Sequence, residues 1–203
     1  MTKIGVLALQ GDFAEHAAVL QQLGAEAVEV RLPGQLAGLD GLIIPGGEST
    51  TIARLIHEWG LLEPLRTRAN EGMAIWGTCA GAILLAERAP ELDREGLRLM
   101  DIEVERNAFG RQLDSFEAAL DVPALGPEPF DAVFIRAPVM RSAGARAEVL
   151  ARLPDGAIVA ARQERLLATS FHPELTGDTR FHEYFLRLAR DTASTTPAAQ
   201  AAG

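Results

Sequence analysis

The apolar run Met73-Ala74-Ile75-Trp76 passes through Gly77-Thr78-Cys79-Ala80-Gly81 straight into a helical stretch from Ile83 to Glu87. A strand that becomes a helix within so short a turn needs glycine on both sides, where any Cβ would crowd the neighbouring backbone. Such a step belongs to a parallel α/β sheet, and the rest of the N-terminal half agrees. Ile4 to Leu9 reads as a buried first strand. Asp12 and Glu15 then form a cap-like pair, opening a helix in which Phe13, Ala17, Leu20 and Leu23 recur at helical spacing. Ala27 to Val30 and Leu42 to Ile44 give further short strands before the one at Met73 to Trp76.

Beyond Met100 the pattern changes to period two, at Ile102 to Glu105, Ser115 to Leu120 and Val133 to Ile135, which predicts an antiparallel or mixed extension of the sheet. Ala157 to Ala161 and Leu166 to Phe171 predict a hairpin across Gln163 to Arg165, and Asp178 to Arg190 a final amphipathic helix. The expected fold is α/β: a three-layer, flavodoxin-like sandwich with a mixed, mainly parallel central sheet and a nucleophile elbow. One domain spanning residues 1–190 is expected, because two would each be small in a chain of 203 residues. Asp191 to Gly203, rich in Ala, Thr, Ser and Pro, reads as a disordered tail. There is no internal repeat.

Composition narrows the function classes. Aromatics are 5% of the chain and the net charge is −9, from 28 acidic and 19 basic residues, so phosphate backbones and anionic membrane surfaces would be repelled. The apolar run at Ile4 is too short for a signal peptide or a membrane span. Cys79 is the single cysteine, which excludes an intrachain disulfide and suits a reducing cytoplasm.

A lone cysteine is ordinarily a small buried hydrophobe. Cys79, between glycines at a strand end and at the start of a helix, is instead placed as a nucleophile whose thiolate the helix dipole favours. Phe171-His172-Pro173-Glu174 supplies a base and an orienter: proline disfavours helical backbone at His172, and side chains two apart on extended chain share a side. A Cys nucleophile needs such an imidazole, with a carboxylate to fix its tautomer. Ile43-Ile44-Pro45-Gly46-Gly47-Glu48-Ser49-Thr50 is another strand ending in a glycine turn, with Ser49 or Thr50 available to cap the next helix. The NH of Gly47 there can complete an oxyanion hole with that of Ala80. A phosphate-cradling loop is the competing reading, but no Gly-Lys-Ser/Thr follows. His16, His57 and His182 fall in expected helices with partly exposed or core-satisfied roles, and no spacing suits a metal.

The Cys elbow, Gly-Gly turn and His-Pro-Glu, in this order, resemble the triad-type (class I) glutamine amidotransferases. Gly5 to Asp12, Pro45 to Thr50, Arg106 to Gln112, Phe134 to Pro138 and Ser170 to Leu175 resemble more closely the glutaminase subunits of pyridoxal 5′-phosphate synthases. The resemblance runs from the first strand to the last helix and leaves out the tail. It implies a triad of Cys79, His172 and Glu174, and Gly47, Glu48, Ser49, Arg106, Ile135 and Arg136 around bound L-glutamine. It also implies a protein partner, a synthase subunit of the PdxS type, which makes pyridoxal phosphate from a pentose phosphate, a triose phosphate and the delivered ammonia. No cofactor is implied. Two rivals are disfavoured by the residues: a free-standing hydrolase or a protein of the DJ-1 type, against which His-Pro-Glu and the Arg106 and Phe134 to Pro138 stretches argue, and an idle regulatory or scaffold subunit that kept the fold, against which the intact triad argues.

Overall fold

The structure is a computed structural model that describes residues 1–106 and 115–191; the motif residues 107–112 and the tail from 192 onward lie outside the described residues. In chain order the elements are β1 (Lys3–Leu7), α1 (Phe13–Gln22), β2 (Glu26–Val30), β3 (Gly41–Ile44), α2 (Ser49–Glu58), α3 (Leu62–Asn70), β4 (Ala74–Thr78), α4 (Ala80–Leu85) and β5 (Ala86–Arg88). They continue with β6 (Met100–Glu105), β7 (Ser115–Leu120), β8 (Phe130–Ile135), β9 (Val139–Ala143), β10 (Glu148–Arg152), β11 (Ile158–Gln163), β12 (Leu166–Thr169) and α5 (Arg180–Arg190).

Among the described residues one sheet of ten strands runs β2-β1-β3-β4-β12-β11-β9-β6-β5, with β10 beside β11, and β7 and β8 form a separate ribbon. The strands from β2 to β12 are parallel neighbours. Antiparallel pairing takes over from β12 outward, returning to parallel between β6 and β5. The sheet is mixed, with the parallel half carrying the doubly wound, flavodoxin-like order. The chain reverses direction across β1, and such a switch point leaves a crevice outside the carboxyl ends of the strands.

Strand residues explain the layering. Leu42 and Ile44 of β3 and Ile75 of β4 pack into one core with Ile52 and Ile56 of α2, Leu65 of α3 and α4. Ile43, Trp76 and β1 residues Ile4 and Val6 point the other way, into a core with Leu20 of α1 and Phe181 and Phe185 of α5. Both faces are covered, so β3 and β4 are buried throughout and read as continuous apolar runs rather than alternating ones. Aromatic residues, scarce overall, concentrate on the second face: Phe130, Phe134, Phe171 and Phe181 meet edge-on or tilted at 4.8–5.7 Å. Through Phe134 and Phe130 the β7–β8 ribbon is anchored against the segment leading to His172.

Several local expectations are corrected. The helix after the elbow is Ala80–Leu85, and Glu87 lies in β5, because the chain must leave the helix to pair Ala86 with Met100. Asp12, Ser49 and Thr50 make no capping bond: Asp12 and Glu48 are the N-cap residues of α1 and α2, and neither side chain caps. The hairpin turn is tighter than expected, with Gln163 and Leu166 already paired and Phe171 beyond the strand. The last helix starts at Arg180, and Asp178 accepts the Arg180 backbone NH at 3.0 Å just ahead of it.

Candidate active site

Cys79 joins β4 to α4 at φ 47° and ψ −104°, a conformation a side chain adopts only under strain. Two glycines make the turn possible. A Cβ on Gly77 would collide with the Gly81 backbone, and one on Gly81 with the Ile44 carbonyl oxygen of β3. The Cys79 NH donates to the Thr169 carbonyl at 2.8 Å, which ties the elbow to the end of β12. α4 is only six residues long, so its dipole is short, and the Cys79 Sγ lies 4.0 Å from the Ile135 carbonyl oxygen.

Three residues past β12, His172 donates its backbone NH to Val133 of the ribbon at 2.8 Å. Its Nδ1 lies 2.7 Å from Glu174 Oε1. The two side chains meet through a 3-10 turn at Pro173–Leu175, not through an extended pleat as the spacing alone suggests. Burial disfavours the imidazolium, but hydrogen bonds with Cys79 and Glu174 outweigh it and push His172 up to about 10. Burial also raises the Glu174 carboxyl, against the pull of His172. Asp12 Oδ2, 3.4 Å from the same Nδ1, is a second carboxylate at the ring and is likewise raised by burial.

The glycine turn after β3 is latched to the turn after β1. Gly46 O accepts the Asp12 NH at 3.1 Å, and Gln10 Oε1 accepts the Glu48 NH at 2.7 Å. Gly11, at φ 98°, has no room for a Cβ beside the Gly46 carbonyl. Across the opening, Arg106 Nη2 reaches Glu48 Oε1 at 2.6 Å.

These pieces enclose a cavity of about 350 Å³. Cys79, Ala80, His172, Gly47, Glu48, Ser49, Arg106, Ile135 and Arg136 all line it, so every expected site residue faces one space except Glu174, which stands behind His172. Ser49 Oγ is buried without a hydrogen-bond partner, and Arg136 is held at φ 43°. Gln10, Gly11 and Asp12 also line the cavity without having been assigned to the site by residue type. Their position at the carboxyl end of β1, beside the switch point, is the signal that finds them. Among the described residues, Asp12, His172 and Glu174 form the one group of three possible metal ligands, within 4.8 Å of one another. The short His172–Glu174 bond commits that imidazole nitrogen to the carboxylate. His16, expected to be partly exposed or core-satisfied, is fully buried and touches the triad: its Nε2 is 3.2 Å from Glu174 Oε2.

A strained elbow cysteine served by a His–Glu pair, opening on an amino-acid-sized cavity of a doubly wound sheet, defines a class of cysteine-nucleophile amide hydrolases. The model of the SNO glutamine amidotransferase family matches residues 6–191, and the chain belongs to that family. It is 62% identical, over 91% of its length and 99% of the relative's, to pyridoxal 5′-phosphate synthase subunit PdxT of Herpetosiphon aurantiacus. To the subunit of the same name from Dehalococcoides mccartyi it is 60% identical, over 93% of this chain and 98% of that one. A crystal structure of a glutamine amidotransferase superposes with a TM-score of 0.86 at 54% identity, covering 92% of this chain and 98% of the other.

Proposed function

We propose that this chain is the glutaminase subunit of a pyridoxal 5′-phosphate synthase, hydrolysing L-glutamine to L-glutamate and passing ammonia to a synthase subunit of the PdxS type. The Cys79 sulfur attacks the side-chain amide carbon. The NH groups of Gly47 and Ala80 hold the resulting oxyanion, a contribution of about 3 kcal/mol per donor. His172 gives its proton to the amide nitrogen, ammonia leaves, and a γ-glutamyl thioester remains on Cys79. Water then attacks the thioester, His172 takes the proton, and glutamate departs. Glu174 holds the imidazole orientation and offsets its charge throughout. Arg106 and Glu48 meet the α-carboxylate and α-ammonium of glutamine, and Ser49, Ile135 and Arg136 complete the cavity wall. Residues 1–190 form the glutaminase domain.

The observation that carries this reading is His172, bonded to Glu174 at 2.7 Å, on the wall of the same cavity as the strained Cys79. No helix among the described residues is long and apolar enough to cross a membrane. A nucleophile that is the only cysteine works where thiols stay reduced, so we place the protein in the cytoplasm. The test is glutamine hydrolysis and labelling by the glutamine-like electrophile diazo-oxo-norleucine, in complex with the synthase subunit. Stoichiometric labelling on Cys79 that glutamine protects against is expected, and an unlabelled, inactive complex would overturn the reading.

A further inference from the structure

Behind the triad, on the side away from substrate, lies a buried chain of imidazoles that the reaction above leaves unused. His16 of α1 and His182 of α5 are both fully buried, with His16 Nδ1 3.0 Å from His182 Nε2. The other nitrogen of His16 lies 3.2 Å from Glu174 Oε2 and 3.2 Å from Thr78 Oγ1, the residue just before the nucleophile. Glu174 Oε2 is buried and has no aligned hydrogen-bond donor, while the bond that His16 Nε2 does make is with Thr78 Oγ1. The contact of Glu174 Oε2 is nonetheless with His16 Nε2.

Proton placement in this chain has two solutions, and the surroundings choose between them. Trp76 packs edge-on against both rings, at 5.6 Å from His16 and 4.9 Å from His182. Burial holds His16 well below its ordinary range and His182 down to about 4, so both imidazoles are neutral. If His16 carried its proton on Nδ1, its bare Nε2 lone pair would face the carboxylate. His182 would then carry its proton on Nδ1, an atom with no hydrogen-bond partner, leaving an orphaned buried NH. With both protons on Nε2, His182 donates to His16, and the His16 proton lies between Thr78 Oγ1 and Glu174 Oε2, each 3.2 Å from Nε2, so that only a lone pair on His182 stays unpaired.

We infer that His16 is a positioning residue of the triad: polarised by His182, it shares its Nε2 proton between Thr78 Oγ1 and the second oxygen of Glu174 and keeps that carboxylate aimed at His172. The inference rests on the glutaminase reading for its kinetic consequences, though not for its proton placement. The charged and titratable groups that face Glu174 are His172 on its own turn, Asp12 on the turn after β1, and His16 on α1, with His182 on α5 one step behind. His16 is the neutral donor among them, and an NH aimed at the carboxylate opposes the burial that raises Glu174.

Two measurements test this. In the full chain labelled with ¹⁵N-histidine, the ring nitrogens of His16 and His182 are expected to report neutral Nε2–H tautomers from pH 6 to 8. A His16 proton on Nδ1 would overturn the inference whatever the activity. In complex with the synthase subunit, His16→Leu is expected to lower kcat for glutamine about tenfold to hundredfold with KM within about twofold. Losing a donor raises the carboxyl pKa, so the acid limb of the kcat profile should move up by about one pH unit. His16→Gln, which can still present an NH, should recover most of the rate and the wild-type acid limb. A folded His16→Leu enzyme with wild-type kcat and acid limb would overturn the inference, as would equal defects in both variants. Absence of glutaminase activity in the wild-type complex would instead count against the function, with the tautomers still deciding the proton placement.

Discussion

Arg106 and Glu48 face each other across the mouth of the cavity, with Nη2 2.6 Å from Oε1, and the hydroxyl of Thr50 donates to the same carboxylate oxygen at 3.2 Å. The pair is partly exposed, so it adds little to stability, and its two charges complement the α-carboxylate and α-ammonium of an amino acid. Arg106→Ala is therefore expected to raise KM for glutamine about tenfold or more, with kcat within a few-fold and Tm nearly unchanged. Steady-state kinetics over a wide glutamine range check this; an unchanged KM would remove Arg106 from substrate binding.

Cys79→Ala should abolish glutamine hydrolysis while the complex still makes pyridoxal phosphate from ammonium salts. Cys79→Gly should be equally inactive but more stable than Cys79→Ala, by about 1 kcal/mol, because glycine relieves the positive φ at the elbow. Denaturant melts of the two variants decide the second point.

His172 also gives a pH signature. Its folded pKa, about 10, lies above the ordinary value of 6.5, so the protonated form is bound more tightly by the folded state. The stability this contributes is complete below about pH 6.5 and is lost as pH rises through about 10. The stability difference between wild type and His172→Gln should follow that course. Since the Cys79 hydrogen bond is the largest of the raising influences, the His172 ring should titrate lower in Cys79→Ala, as ring-proton shifts in NMR would show.

Gly81→Ala should destabilise the fold by about 3 kcal/mol or more, since the added methyl meets a main-chain oxygen of β3 that cannot move without parting the sheet from α4. Wild-type stability in denaturant would show that the elbow has slack the geometry does not suggest.

The hydrogen bond from the Asp12 NH to Gly46 O fixes the peptide that carries the Gly47 NH. A synthase subunit pressing on the turn after β1 would act on that peptide directly, so the chain alone should turn over glutamine at least tenfold more slowly than the complex. Equal rates with and without the partner would show a preformed oxyanion hole.

The parallel half of the fold and the elbow were legible because they depend on local chemistry: apolar runs ending in glycine turns at Ile44 and Trp76 have few other solutions. The cavity-lining residues were legible through resemblance more than through physics, since nothing in the sequence separates Arg106 and Arg136 from arginines on the surface. His16 and His182 escaped because their positions on helices report burial but not neighbours. A contact between α1, α5 and the turn after β12 joins residues 166 positions apart. The Asp12–Glu15 pair looked like a capping signal, and Asp12 does sit at the N-cap of α1, but its carboxylate lies 3.4 Å from the imidazole of His172, a contact that no periodicity encodes.

β12 is the last strand among the described residues yet sits in the interior of the sheet, with Thr169 paired in register against Thr78. Trp76 and Thr169, hydrogen bonded to each other, are 93 residues apart. During synthesis the nucleophile therefore emerges well before its base, and a nascent or truncated chain carries an unserviced thiol. Insertion of β12 beside β4 closes that long loop, a non-local step of the kind that limits folding rates. The strand that comes last among the described residues is also the one that brings His172 and Glu174 beside Cys79, so a chain in which β12 has not yet joined β4 has a nucleophile without its base.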